Sequence, residues 1–122
     1  MSELPNLDPA ALQRLQRLGD TAFVCKMIDL FLEYAGQKIV EARAAYSAGN
    51  LAGVEKAVHP IKSSAGNIGA RRIQDLALRI EELARQGHSE TLAASINELE
   101  QVFAAVKPVL EEKRQSLSPR TP

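Results

Sequence analysis

Two side chains one helical turn apart, His59 and Lys62, are the first candidates for chemistry in this sequence. A neutral imidazole nitrogen is a nucleophile near neutral pH. A phosphoryl group placed on it would carry charge that an ammonium one turn away can pair with. Glu55 stands one turn before His59, Ser63 one turn after and Gly66 two turns after, so on a helix all of them share a face. Ser63 and Gly66 are small and leave the approach to the ring open. By itself this proves little, since a surface His beside a Lys is usually a solvated pair with no task.

The face exists only if the segment is helical, and its apolar residues say that it is. Leu51, Val54, Val58, Ile61, Ala65 and Ile68 step by three or four residues, with Asn50 as a cap before them and the Gly66–Gly69 region as the turn after them. At about 100° per residue, His59 falls roughly 130° from the centre of that stripe, which turns the imidazole to solvent. Pro60 removes one amide hydrogen bond and crowds the carbonyl of Lys56, so a local bend is expected. That bend either helps to present His59 or is simply tolerated at an exposed position.

The flanking segments read the same way. A short first helix starts at Asp8-Pro9, with Leu7 stapled onto Leu12, and ends at Gly19 in a left-handed conformation. Asp20-Thr21 offers a cap for a long second helix with Val24, Ile28, Phe31, Ala35, Ile39, Ala42 and Tyr46 on one stripe. Phe23, Met27, Leu30 and Tyr34 form a second row, which the first helix or a partner must cover. A fourth helix carries Ile73, Leu76, Ile80 and Leu83 and stops at Gly87. A fifth, capped by Ser89, carries Leu92, Ile96, Leu99, Phe103, Val106 and Leu110 in alternating steps of four and three, and Pro108 should kink or break it. The expected fold is all-α: an antiparallel four-helix bundle with a short N-terminal capping helix over residues 1–114, and a flexible tail over 115–122.

Composition removes several classes of function. At 122 residues the chain fits one domain, and 45% hydrophobic with 25% charged residues is a globular balance. Fifteen Lys and Arg against fifteen Asp and Glu leave no net field to draw it to nucleic acid or an anionic membrane surface. Cys25 is the only cysteine and reads as a small core hydrophobe. With two His and no Glu-x-x-His pattern, a di-metal carboxylate bundle is excluded, and no metal site is expected. A phosphate-cradling glycine loop and an acidic metal cluster are likewise missing, so ATP chemistry must happen elsewhere. No secretory signal or bilayer-length apolar run is seen, which makes the cytoplasm the expected compartment. His88, in a predicted turn, receives no role.

The contiguous string His59-Pro60-Ile61-Lys62-Ser63-Ser64-Ala65-Gly66-Asn67-Ile68-Gly69-Ala70 resembles the signature of histidine phosphotransfer (HPt) domains: His, any residue, aliphatic, Lys, three small residues, then Gly. The helix order from about Leu7 to about Leu110 matches that family too. The resemblance implies that His59 accepts a phosphoryl group from a receiver-domain aspartate and passes it to another receiver, and that Lys62 neutralises the phosphate. It further implies that Ser63 permits close approach of the receiver. Arg85 matches an arginine that some relatives hold near the phosphohistidine. Glu81 stands where some of those relatives have glutamine, and a carboxylate pointing inward there would repel the phosphoryl group. The partners so implied are response-regulator receiver domains and a sensor or hybrid histidine kinase. No cofactor belongs to this chain, Mg²⁺ coming with the receiver, and no autonomous kinase activity is expected.

Receiver docking by a modest apolar patch would use Phe23 and Met27, with Leu30 and Tyr34, although these residues are equally well explained as ordinary core. A monomer is expected. Two other readings stay open: a bundle that binds receivers without ever being phosphorylated, and a helical DNA-binding domain using Arg71 and Arg72, against which the balanced charge speaks.

Overall fold

The computed structural model describes residues 7–117, and among them the chain forms five helices and no strand: α1 (Pro9–Leu18), α2 (Thr21–Ser47), α3 (Leu51–Ile68), α4 (Arg71–Gln86) and α5 (Ser89–Leu117). Helix starts follow their side-chain caps. Asp8 Oδ1 accepts from the amide of Ala10, Asp20 Oδ1 from that of Phe23, and Asn50 Oδ1 from that of Gly53, at 2.9 to 3.1 Å. Each satisfies an amide that the first turn leaves without a partner. α5 begins one residue earlier than a Ser89 cap would give: Ser89 is already helical, and the His88 carbonyl accepts from the Leu92 amide.

Helix α3 packs on α2 and α4, and α5 packs on the same two from the other side, so α2 to α5 close a ring; α1 lies against α2 and α3. Inside the ring are Ile28, Ile61, Ile68, Ile73, Ile80, Leu92, Ile96, Leu99 and Leu110, all fully buried. Each side chain so buried is worth about 1.5–3 kcal/mol, against about 0–1 kcal/mol for an exposed ion pair. The stripes therefore hold the fold. Polar ties such as Arg43 to Glu100 (2.8 Å) and Arg114 to Asp29 (2.6 Å), both joining α2 to α5, only trim it.

Three expectations need correction. Gly19 ends α1 with φ −149°, which is extended rather than left-handed; glycine is needed there because an added Cβ would sit 2.6 Å from the Phe23 ring. Pro108 does not break α5, for it lies on the exposed side, where a lost amide bond leaves no buried group unsatisfied. Residues 115–117 of the expected tail are helical, tied back where the Arg114 carbonyl accepts from Cys25 Sγ at 3.6 Å and its guanidinium meets Asp29. Residues 118–122, the rest of that tail, lie outside the described residues, as do residues 1–6.

The corner between α3 and α4 fixes the frame of the site. Gly69 takes the left-handed conformation at φ 85°, open at little cost only to glycine, and its carbonyl accepts from the Asp8 amide at 2.7 Å. The start of α1 is thereby clamped onto the end of α3, with Leu7 buried beside it. Because α4 follows after a two-residue link, its first residues lie against the last turn of α3, and its later residues lie back along α3 beside His59.

Candidate functional site

His59 projects from the middle of α3 with its side chain 66% exposed, as the helical projection predicts. Pro60 sits within α3, which runs on through it to Ile68. The ring is not free to turn, because Nδ1 lies 2.5 Å from Oε2 of Glu81 on α4. The other oxygen of that carboxylate, Oε1, lies 2.5 Å from Nζ of Lys62. His59 and Lys62, one turn apart on α3, thus converge on a single α4 carboxylate between them.

Glu81 is almost completely covered, with its side chain 4% exposed. It lies under the His59 ring, Lys62 and Arg85 rather than deep among the core residues, and it lines an open cleft with Ala52, Glu55, Lys56, His59 and Arg85. Burial pushes its carboxyl upward, but the hydrogen bonds from Lys62 and His59, with their charges, outweigh that and hold it below its ordinary value of 4.5. Glu81 is therefore ionised at neutral pH and can only accept. In the neutral ring the proton of the short bond to Glu81 sits on Nδ1, which leaves Nε2 as the nitrogen with the lone pair.

Arg85, also on α4, spans the edge of this cluster. Its Nη2 and Nε bond Glu55 Oε2 at 3.0 and 3.1 Å, and Nη2 lies 3.6 Å from Glu81 Oε2. Among the residues singled out from sequence, the fold thus gathers Glu55, His59, Lys62, Arg85 and Glu81 into one charged cluster. Ser63 is exposed one turn on from His59 and makes no polar contact with that cluster among the described residues.

Gly66 has a reason that the sequence did not disclose. An added Cβ would lie 2.5 Å from Nε2 of Gln74, whose amide donates to the Lys62 carbonyl at 3.2 Å. The glycine makes room for an α4 side chain that braces the turn carrying Lys62, besides being small. Gln74 went unnoticed because a glutamine early in an amphipathic helix looks like any solvated residue. Glu81 gave a clearer signal: it follows Ala77 by four residues and adjoins Ile80, both fully buried, so its carboxylate had to meet cations.

Beside this polar face runs an apolar groove of about 230 Å³, lined by Met27, Leu30, Phe31 and Tyr34 of α2 and by Ser64, Asn67 and Ile68 of α3. Its α3 wall is two turns on from His59. Leu30 and Tyr34 are 49% and 40% exposed, so the second row of α2 is only partly covered. Phe23 does not line the groove; it packs on Gly19 at the α1–α2 corner. Arg71 and Arg72 are exposed and pair at the surface with Asp8 and Glu98. No group of His, Cys, Asp and Glu suited to a metal ion occurs among the described residues, and none of the helices described is long and apolar enough to cross a membrane.

Comparison with known proteins bears on the family and the fold. The family model of the Hpt domain matches residues 26–108. Among solved structures, histidine-containing phosphotransfer protein B (HptB) of Pseudomonas aeruginosa PAO1 superposes with a TM-score of 0.88 at 26% identity, covering 93% of this chain and 98% of that one. The histidine-containing phosphotransfer protein ZmHP2 of maize superposes at 0.80 with 20% identity, covering 93% and 92%, a likeness of fold. A search of curated proteins gives no match.

Proposed function

The chain belongs to the Hpt domain family of phosphorelay phosphocarriers, and from that premise we propose that His59 is the phosphoryl acceptor, receiving the group from the aspartyl phosphate of one receiver domain and handing it to the aspartate of another. The observation that carries this reading is the pairing of an exposed His59 with its Nδ1 engaged, so that Nε2 alone is presented to solvent. In the forward step the Nε2 lone pair attacks phosphorus in line as the bond to the aspartate oxygen breaks, and the electron pair stays with the leaving carboxylate. Such transfer depends on positioning and charge stabilisation more than on covalent help from the scaffold. Lys62, with its ammonium held close by, is the cation for the transferred group.

Receiver domains dock over Ser63 and Gly66 and along the apolar groove, with Met27, Leu30 and Tyr34 as the apolar contacts; Phe23 and Arg85 stand at the margins of this surface. Mg²⁺ arrives with the receiver, and this chain supplies no cofactor and no kinase activity of its own. The ring of α2 to α5 is an antiparallel bundle capped by α1, one domain acting as a cytoplasmic monomer between a sensor or hybrid histidine kinase and its regulators.

Substituting His59→Gln tests the reading against a binding-only scaffold. Phosphoryl uptake from a phosphorylated receiver domain is expected to vanish, while receiver affinity measured by titration changes less than about threefold. Uptake that persists in the variant would contradict the proposal. A scaffold role instead requires that neither protein take up phosphate.

A further inference from the structure

Between α3 and α4, one helical turn from the contact of His59 with Glu81, a second pair joins the helices with the signs reversed: Glu55 on α3 and Arg85 on α4. Glu55 precedes His59 by four residues and Arg85 follows Glu81 by four, so the two pairs are neighbours along both helices. Arg85 gives both Nε and Nη2 to one oxygen, Oε2 of Glu55, at 3.1 and 3.0 Å, while Nη2 is 3.6 Å from Glu81 Oε2. Its Nη1 makes no hydrogen bond among the described residues. The Arg85 and Glu55 side chains are 58% and 33% exposed, and an ion pair so open to water adds little to stability.

The surroundings of the pair give it a role that stability does not. Glu55, Lys56, His59, Glu81 and Arg85 line one open cleft, and Lys62 reaches Glu81 from the turn of α3 after His59. Lys62 is matched by Glu81 and Arg85 by Glu55, whereas Lys56 is exposed and makes no ion pair among the described residues. A phosphoryl group on Nε2 brings about two negative charges and three acceptor oxygens into this cleft. The planar fork of a guanidinium matches such oxygens in pairs, and the guanidinium on this cleft is already engaged by a carboxylate.

We propose that Glu55 is a positioning residue that sets how firmly the phosphoryl group is held: it competes with that group for Arg85 and keeps a negative charge one turn from the ring, so that the phosphohistidine stays easy to discharge. The inference rests on the phosphotransfer reading above and adds no covalent step to it. Glu55 acts on the free energy of the phosphorylated state. Before transfer, Arg85 is bonded to Glu55 and the two charges cancel. After transfer, every bond that the guanidinium keeps with Glu55 is withheld from the phosphoryl oxygens. A carrier has to give up what it accepts, and a cleft that neutralised the phosphoryl group completely would retain it.

The test is the equilibrium of label between the full chain and a receiver domain bearing ³²P on its aspartate, at concentrations too low for the two to remain in complex. Glu55→Gln keeps the shape of the side chain and removes its charge. The equilibrium is expected to move threefold or more toward the labelled chain; a smaller shift, or one toward the receiver, would overturn the proposal. Arg85→Ala supplies the second arm. In that background the shift caused by Glu55→Gln should fall to less than half on a logarithmic scale, because only direct repulsion is left. Equal shifts in both backgrounds would show that Glu55 does not act through Arg85 and would overturn its assignment as a positioning residue. A wild-type chain that takes up no label would instead remove the phosphotransfer reading itself, so the two failures are told apart.

Discussion

At the scale of single residues, His59 and Lys62 are tied to one carboxylate rather than to each other. The imidazole is exposed, yet its orientation is set by the buried Glu81, so reactivity and precision come from different helices. Lys62 pairs with Glu81 in the chain as it stands and is the cation proposed for the phosphoryl group. Replacing it by Met keeps the length of the side chain and deletes the ammonium. Uptake of phosphate from a receiver is expected to slow about tenfold or more, a hydrogen bond between charged groups being worth about 1.5–3 kcal/mol. Single-turnover transfer at saturating receiver measures it, and an unchanged rate would remove Lys62 from the transition state. The outward direction of His59 and the nearness of Lys62 could be read from helical spacing, because both depend only on position along α3. The partner on α4 could not, because which residue of a second helix meets the first depends on the length of the connection and the register of packing.

At the scale of elements, the α3–α4 corner decides that register. Gly69 at φ 85° and the two-residue link start α4 against the last turn of α3, and Gln74 packs over Gly66. Gly69→Ala would face both a left-handed backbone and a Cβ 2.6 Å from the carbonyl oxygen of Asp8. A non-glycine residue in that conformation costs about 1–3 kcal/mol, and the contact is with backbone, which cannot swing aside. Urea unfolding is expected to show a loss of about 2–3 kcal/mol, with amides of α1 exchanging faster as the Asp8-to-Gly69 bond is disturbed. An unaltered midpoint would mean that the corner is not held as described. The helices, three of the side-chain caps and most buried stripes were legible in the sequence because 3.6-residue periodicity and capping are local. Gly19 and Pro108 misled for the opposite reason: whether a glycine serves conformation or space, and whether a proline breaks a helix, depends on what stands beside it.

At the scale of the whole molecule, a neutral chain hides a polarised arrangement of charge. Two carboxylates are held below their ordinary values: Glu81, where the bonds from Lys62 and His59 overcome burial, and Glu100, where the bond from Arg43 does. A carboxylate whose pKa is lower folded than unfolded adds stability that is fully present above the unfolded value of about 4.5 and is lost as pH falls through the folded value. Stability by urea unfolding is therefore expected to hold above about pH 4.5 and to decline as pH falls below it, and Glu81→Gln and Glu100→Gln should each flatten part of that decline. A variant with the wild-type slope would show that its carboxylate titrates alike in both states. The bundle's neutrality also bears on its partners, since docking has to rest on local complementarity along the apolar groove and the His59 face rather than on long-range attraction.

All three scales meet in the claim that this imidazole carries phosphate. The most direct measurement is incubation of the intact chain with a receiver domain bearing ³²P on its aspartate, followed by peptide mapping. A label on this chain that is lost in acid, survives alkali and maps to the peptide holding His59 is expected. A chain that stays unlabelled, or a label on another residue, would contradict it.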